Sequence, residues 1–128
     1  MNQSHKLDII CIDKILKYVK TINDACAMFN IGSADDLENN HICQLAITQA
    51  ITNIYELRQK MQDTTLTEMA QFSKLRLGLK AARNIASHDY DSLDFGIINR
   101  IVKQLSSQAL IKELEMARDG IRQNNPSD

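Results

Sequence analysis

The stretch Leu7-Asp8-Ile9-Ile10-Cys11-Ile12-Asp13-Lys14-Ile15-Leu16-Lys17-Tyr18-Val19-Lys20-Thr21-Ile22-Asn23-Asp24-Ala25-Cys26-Ala27-Met28-Phe29 decides the fold. Ile12, Ile15, Leu16, Val19, Ile22, Cys26 and Phe29 recur at steps of three and four, the spacing of one helical face. A strand alternates with period two, and no segment of the chain does so for long enough to be one. The spacing predicts a helix from about Leu7 to Phe29, with Gly32 supplying the left-handed residue after its end.

The same reading extends outward. Ser33 and Asp36 form a capping box that opens a second helix, running to about Met61 with Leu37, Ile47, Ala50, Ile51, Ile54, Leu57 and Met61 inward. Gln62-Asp63-Thr64-Thr65 is the clearest connector, and Thr65 with Glu68 makes a second capping box. A third helix buries Phe72, Leu75, Leu79, Ala82 and Ala86 and ends near Ser87. His88-Asp89-Tyr90-Asp91-Ser92 reads as a polar loop. Asp94 caps a fourth helix with the stripe Phe95, Ile98, Ile101, Val102 and Leu105. Ser106-Ser107 breaks the pattern, and a fifth helix offers Leu110, Leu114, Ala117 and Ile121. Gly78 and Gly96 inside these helices predict close helix packing. The expected fold is all-α: an antiparallel bundle of about five helices, one domain over 1–122 with a polar tail over 123–128 that holds the single proline, Pro126.

Composition narrows the function. A chain of 128 residues, 44% hydrophobic, can bury one core and is not a disordered segment. No apolar run approaches the roughly 20 residues of a spanning helix. Asp8 and Asp13 interrupt the first apolar run and no small-residue cleavage site follows it, so no signal peptide and no membrane association are expected. Cys11, Cys26 and Cys43 are odd in number and widely spaced, which suggests neither a disulfide framework nor a zinc ribbon. Cys26 reads as a buried thiol, and a reducing cytoplasm is the expected compartment. The net charge of −1 means that any affinity for nucleic acid comes from a local basic patch.

Such a patch lies in Arg76-Leu77-Gly78-Leu79-Lys80-Ala81-Ala82-Arg83-Asn84-Ile85-Ala86-Ser87-His88-Asp89-Tyr90. Arg76, Lys80 and Arg83 share one helical face and form a cationic row leading to His88. Alone, the row reads as a solvated stripe, and a histidine near a helix end as a dipole partner. Together they offer what RNA cleavage needs: a base for the ribose 2′-hydroxyl proton, an acid for the leaving 5′-oxygen and a cation for the phosphorane. Histidine titrates near neutral pH, and arginine contacts phosphate through two N–H groups. Arg83 and His88 are therefore the expected catalytic pair, with Arg76, Lys80 and Asn84 binding substrate. One chain has one such histidine, so a histidine acid and a histidine base together require two protomers. No Gly-rich phosphate loop, metal-ligand cluster or Ser/His/Asp arrangement stands out.

Arg83-Asn84-Ile85-Ala86-Ser87-His88-Asp89-Tyr90 resembles the R-x4-6-H motif of the HEPN superfamily, in the R-x4-H-x-Y form of HepT toxins. Asn84 after Arg83 matches the family's preference for a polar residue there. Asp91-Ser92-Leu93-Asp94 before an apolar helix is similar too. Chain length, helix count and motif position extend the resemblance over nearly the whole chain. It implies a metal-independent endoribonuclease that forms a homodimer with two motifs facing one cleft, and that has no cofactor of its own. It also implies an MntA-type nucleotidyltransferase antitoxin as partner, which uses ATP and Mg²⁺ to adenylylate Tyr90. AMP there adds charge and bulk beside the site. The plainer reading of Tyr90 is a side chain packing its loop on the bundle. The alternative function is a non-catalytic HEPN bundle that binds or orients substrate for a nucleotidyltransferase, and a generic helical adaptor is a third reading.

Overall fold

A computed structural model describes residues 2–88 and 94–125, residues 85–88 by backbone alone. Among the described residues it is helical without strands: α1 (Gln3–Met28), α2 (Ala34–Glu38), α3 (His41–Gln59), α4 (Asp63–Thr67), α5 (Ala70–Lys74), α6 (Arg76–His88), α7 (Phe95–Leu105) and α8 (Gln108–Asn124). The α3 helix lies between α1 and α6, α8 packs on α1, and α7 packs on α2 and α6. The predicted stripes meet at the centre. Ile12, Ile15 and Ile22 of α1 are fully buried with Ile47, Ile51 and Ile54 of α3, Phe72 of α5, Leu79 of α6, and Ile98 and Leu105 of α7. Each such side chain contributes about 1.5–3 kcal/mol of burial, which is what holds these short helices in place. At the rim, Asp13 of α1 pairs with Arg118 and Arg122 of α8 at 3.0 and 3.2 Å.

Eight described helices stand where five were expected, because two of the long ones are interrupted. Ser33 caps α2 as predicted, accepting from the Asp36 N–H at 3.2 Å. The second helix then stops at Asn39 and restarts from Asn40, whose side chain accepts from the Cys43 N–H at 2.9 Å. Gln44 closes the break by donating to the carbonyls of Leu37 and Glu38 at 2.9 and 2.8 Å, the orphan acceptors at the end of α2. The third expected helix is α4, α5 and α6. Thr65 is not its cap: it sits buried inside α4 and donates to the Asp8 carboxylate at 2.5 Å. The α5 helix receives its N-terminal acceptor from α8, where Glu113 accepts from the N–H groups of Gln71 and Phe72 at 3.0 and 2.9 Å.

The left-handed residue after α1 is Asn30, at φ 56°, and not Gly32. Asparagine tolerates that region better than most side chains do. The Ile31 N–H reaches the Cys26 carbonyl at 2.8 Å and the Asn30 N–H reaches that of Ala27 at 3.4 Å, the paired bonds of a Schellman end. The fourth and fifth predicted helices are α7 and α8. Asp94 accepts from the N–H groups of Gly96 and Ile97 at 2.9 and 3.3 Å, and Ser107 accepts from that of Leu110 at 3.2 Å. Gly78 does serve close packing, since a Cβ there would collide with Ile101 Cδ1 across α6 and α7. Gly96 does not: its nearest neighbour is its own cap, Asp94. The α8 helix continues through Asn124, past the expected start of the tail. No described helix is long and apolar enough to cross a membrane.

Candidate functional site on the seam of α3 and α6

Leu75, Leu79 and Ala82 bury one side of the α6 segment. That leaves Arg76 and Lys80 exposed, with Arg83 and Asn84 half-buried at the seam. The Arg83 guanidinium lies over the ring of Tyr55 on α3, with Cζ 4.7 Å from the centroid. Tyr55 is buried, so the ring is a fixed platform. The stack attracts the cation through the ring quadrupole and leaves the N–H groups in the guanidinium plane free for another partner. Arg83 Nε is buried and has no hydrogen-bond partner among the described residues.

One turn beyond Tyr55 on the same helix lies Arg58, which the sequence reading missed. It is 7% exposed, and its Nε is likewise buried without a partner. Burial pushes its pKa below the ordinary arginine value, and the neighbouring Arg76 adds to that; Tyr55 and Asp63 oppose it. Among the described residues no carboxylate comes within ion-pair distance of it. A desolvated cation without an anion is costly to fold around. A signal for it existed: Arg58 follows Ile51 and Tyr55 at helical spacing, a charge in register with an apolar face.

His88 is the last residue of α6, and so belongs to the helix and not to a loop. Its side chain lies outside the described residues, as does Tyr90 entirely. Five helical residues turn the chain by about 140° and advance it by about 7.5 Å. Arg83 and His88 are thus close along the axis of α6. Arg76, Lys80 and Arg83 do stay on one face.

Other chemistry is sparse. Among the described residues no group of three His, Cys, Asp or Glu could hold a metal ion. Cys11, Cys26 and Cys43 are free thiols whose pKa values burial raises. Cys26 is half-buried against the core. Where α5, α7 and α8 meet, a groove of about 500 Å³ is lined by Lys74, Arg100 and Lys103 over Leu75 and Leu110, a second basic region that sequence spacing does not reveal. Comparison of the chain with family models, with curated proteins and with solved structures gives no match.

Proposed function

We propose that this chain is a metal-independent endoribonuclease of the HepT type, acting as a homodimer and held in check by an MntA-type nucleotidyltransferase. The observation that carries the reading is the Arg83 guanidinium, stacked on Tyr55 and with its Nε unpartnered, in an Arg-x4-His segment. A cation held by a ring and not by a carboxylate keeps its full charge for a phosphate. In the reaction, His88 takes the proton from a ribose 2′-hydroxyl or gives one to the leaving 5′-oxygen. The 2′-oxygen bonds to the adjacent phosphorus as the bond to the 5′-oxygen breaks, giving a cyclic phosphate end and a 5′-hydroxyl end. Arg83 stabilises the charge that builds on the phosphorane oxygens. One chain supplies one such histidine, so a histidine acid and a histidine base together call for a two-protomer site, in which each histidine completes the cleft of the other copy. Asn84, Arg76 and Lys80 then contact the substrate around the scissile bond. ATP and Mg²⁺ belong to the nucleotidyltransferase, whose transfer of AMP to Tyr90 blocks the site.

The test is cleavage of RNA by the purified chain in the presence of EDTA. The wild type cuts, and Arg83→Ala and His88→Ala each cut about a hundredfold more slowly or worse, with circular dichroism unchanged. Full activity in either folded variant, loss of cutting on chelation, or a fully active monomer overturns the reading.

A further inference from the structure

The ribonuclease reading uses Arg83, Arg76 and Lys80 of the seam and leaves Arg58 unexplained. An arginine that is 7% exposed ordinarily sits opposite a carboxylate, and here among the described residues there is none. Its Nε points to no acceptor. Asp63 acts on it only from beyond ion-pair distance, and a second cation, Arg76, bears on it from α6. Close packing fixes this arrangement: α3 lies against α6, and Tyr55, one turn before Arg58 and under Arg83, is buried. The seam thus brings Arg83 over the Tyr55 ring and Arg76 near Arg58, three arginines in a chain whose net charge is −1. Like charges gather in this way where an anion completes the group.

We infer that Arg58 and Arg76 form a second phosphate site on the seam, which holds the RNA phosphate next to the one at Arg83. The inference rests on the ribonuclease reading for the identity of the polyanion. Arg76 and Arg83 are seven residues apart on one helix face, about 10.5 Å along its axis, so they suit separate phosphates of one strand and not one phosphate held twice. Arg58, buried in the seam, supplies one guanidinium fork, and Arg76, exposed on α6, another. Arg58 is a binding residue here and takes no part in proton transfer. It positions the strand so that the scissile phosphate lies at Arg83.

The experiment uses the full chain with an RNA oligonucleotide and with its 2′-O-methyl form, which has no free 2′-hydroxyl and so reports binding alone. Fluorescence anisotropy over a salt series gives affinity and the salt slope. Arg58→Gln and Arg76→Gln are each expected to weaken binding about tenfold and to reduce the slope by about 0.7, the loss of one phosphate contact on a single strand. For cleavage, KM rises about tenfold while kcat changes much less. Arg58→Lys recovers the slope but only part of the affinity, because it restores charge without the fork. A merely structural Arg58 lowers the melting temperature and leaves the slope alone, and that outcome overturns the inference. Should Arg58→Gln fail to fold, Arg58→Lys and Arg76→Gln decide, and wild-type affinity in both overturns it. A wild type that cuts no RNA, yet shows these binding losses in the variants, defeats the ribonuclease reading and leaves the second phosphate site standing.

Discussion

The Arg83 guanidinium lies over the Tyr55 ring across the seam of α3 and α6, 4.7 Å from Cζ to the ring centroid. Arg83 is thereby oriented by a neighbour that does not neutralise it. A cation–π stack contributes about 0.5–2 kcal/mol depending on desolvation, enough to hold a flexible side chain in one geometry. Tyr55→Leu is expected to lower RNA cleavage roughly tenfold, since about 1.4 kcal/mol of positioning corresponds to one decade of rate. Tyr55→Phe keeps the ring and is expected to lose clearly less. Single-turnover cleavage of both variants, with circular dichroism as the control for folding, checks this. Equal loss in the two variants means that the phenol oxygen, and not the ring, sets Arg83.

A second relationship governs stability. The Asp8 carboxylate, fully buried near the start of α1, accepts from the Gln62 N–H at 3.1 Å, Gln62 Nε2 at 3.0 Å and Thr65 Oγ1 at 2.5 Å. It ties the first helix to the connection after α3. Asp8→Ala strands three donors in the interior and is expected to cost about 3 kcal/mol, while Thr65→Val removes one bond and costs about 1–2 kcal/mol. Urea unfolding midpoints measure both. A loss below about 0.5 kcal/mol for Asp8→Ala, the range of ordinary surface changes, contradicts this account.

Asp8 also shows what the sequence could and could not reveal. Periodicity identified most of the apolar core residues of the long helices, and local chemistry identified the caps Ser33 and Asp94, because both depend on neighbours within a few positions. Asp8 read as an interruption of an apolar run, and Thr65 as a cap, because their partnership spans 57 residues of sequence. The breaks at Asn39–Asn40 and after Thr67 depend on Gln44 and Glu113, which close helix ends from other elements. The site divides in the same way. The row of Arg76, Lys80 and Arg83 is a local pattern and is present as a row. Tyr55 and Arg58 join it only through the packing of α3 on α6, which no spacing within either segment expresses.

The α2 cap yields a pH dependence of definite sign. The Gly32 N–H donates to the Asp36 carboxylate at 2.9 Å and the Ser33 hydroxyl adds to it, which together hold its pKa below the ordinary carboxylate value. A folded-state value below the unfolded one favours the ionised form in the fold. The contribution is therefore complete above the ordinary carboxylate pKa of about 4 and is lost as pH falls through the lower folded value. The group is exposed, so the effect is small. The melting-temperature difference between wild type and Asp36→Asn is expected to be largest near neutral pH and to vanish in strong acid. A constant difference across that range, in thermal melts followed by circular dichroism, excludes the linkage.

The proposed regulation by adenylylation places its own demand on the tyrosines. The chain has three: Tyr18, Tyr55 and Tyr90. For AMP transfer, a phenol oxygen loses its proton to a base and attacks the α-phosphorus of Mg²⁺-bound ATP, and pyrophosphate departs. The oxygen must therefore enter a second protein's active site. Tyr55 is buried in α3 beneath Arg83, and Tyr18 is half-buried in α1 against the core, so both lie within helices and are partly or wholly covered. Tyr90 follows the end of α6 by two residues and is the expected acceptor. A phosphate and nucleoside attached there, so near His88 in the chain, would compete for the positive charge that Arg83 holds ready, and inhibition needs no long-range change. The chain should gain AMP on Tyr90 when incubated with an MntA-type nucleotidyltransferase, ATP and Mg²⁺, as read by intact-mass and peptide mass spectrometry. Tyr90→Phe should remain unmodified and escape inhibition. AMP on Tyr18 or Tyr55 in place of Tyr90, or a Tyr90-modified chain that cuts RNA at the unmodified rate, contradicts this mechanism.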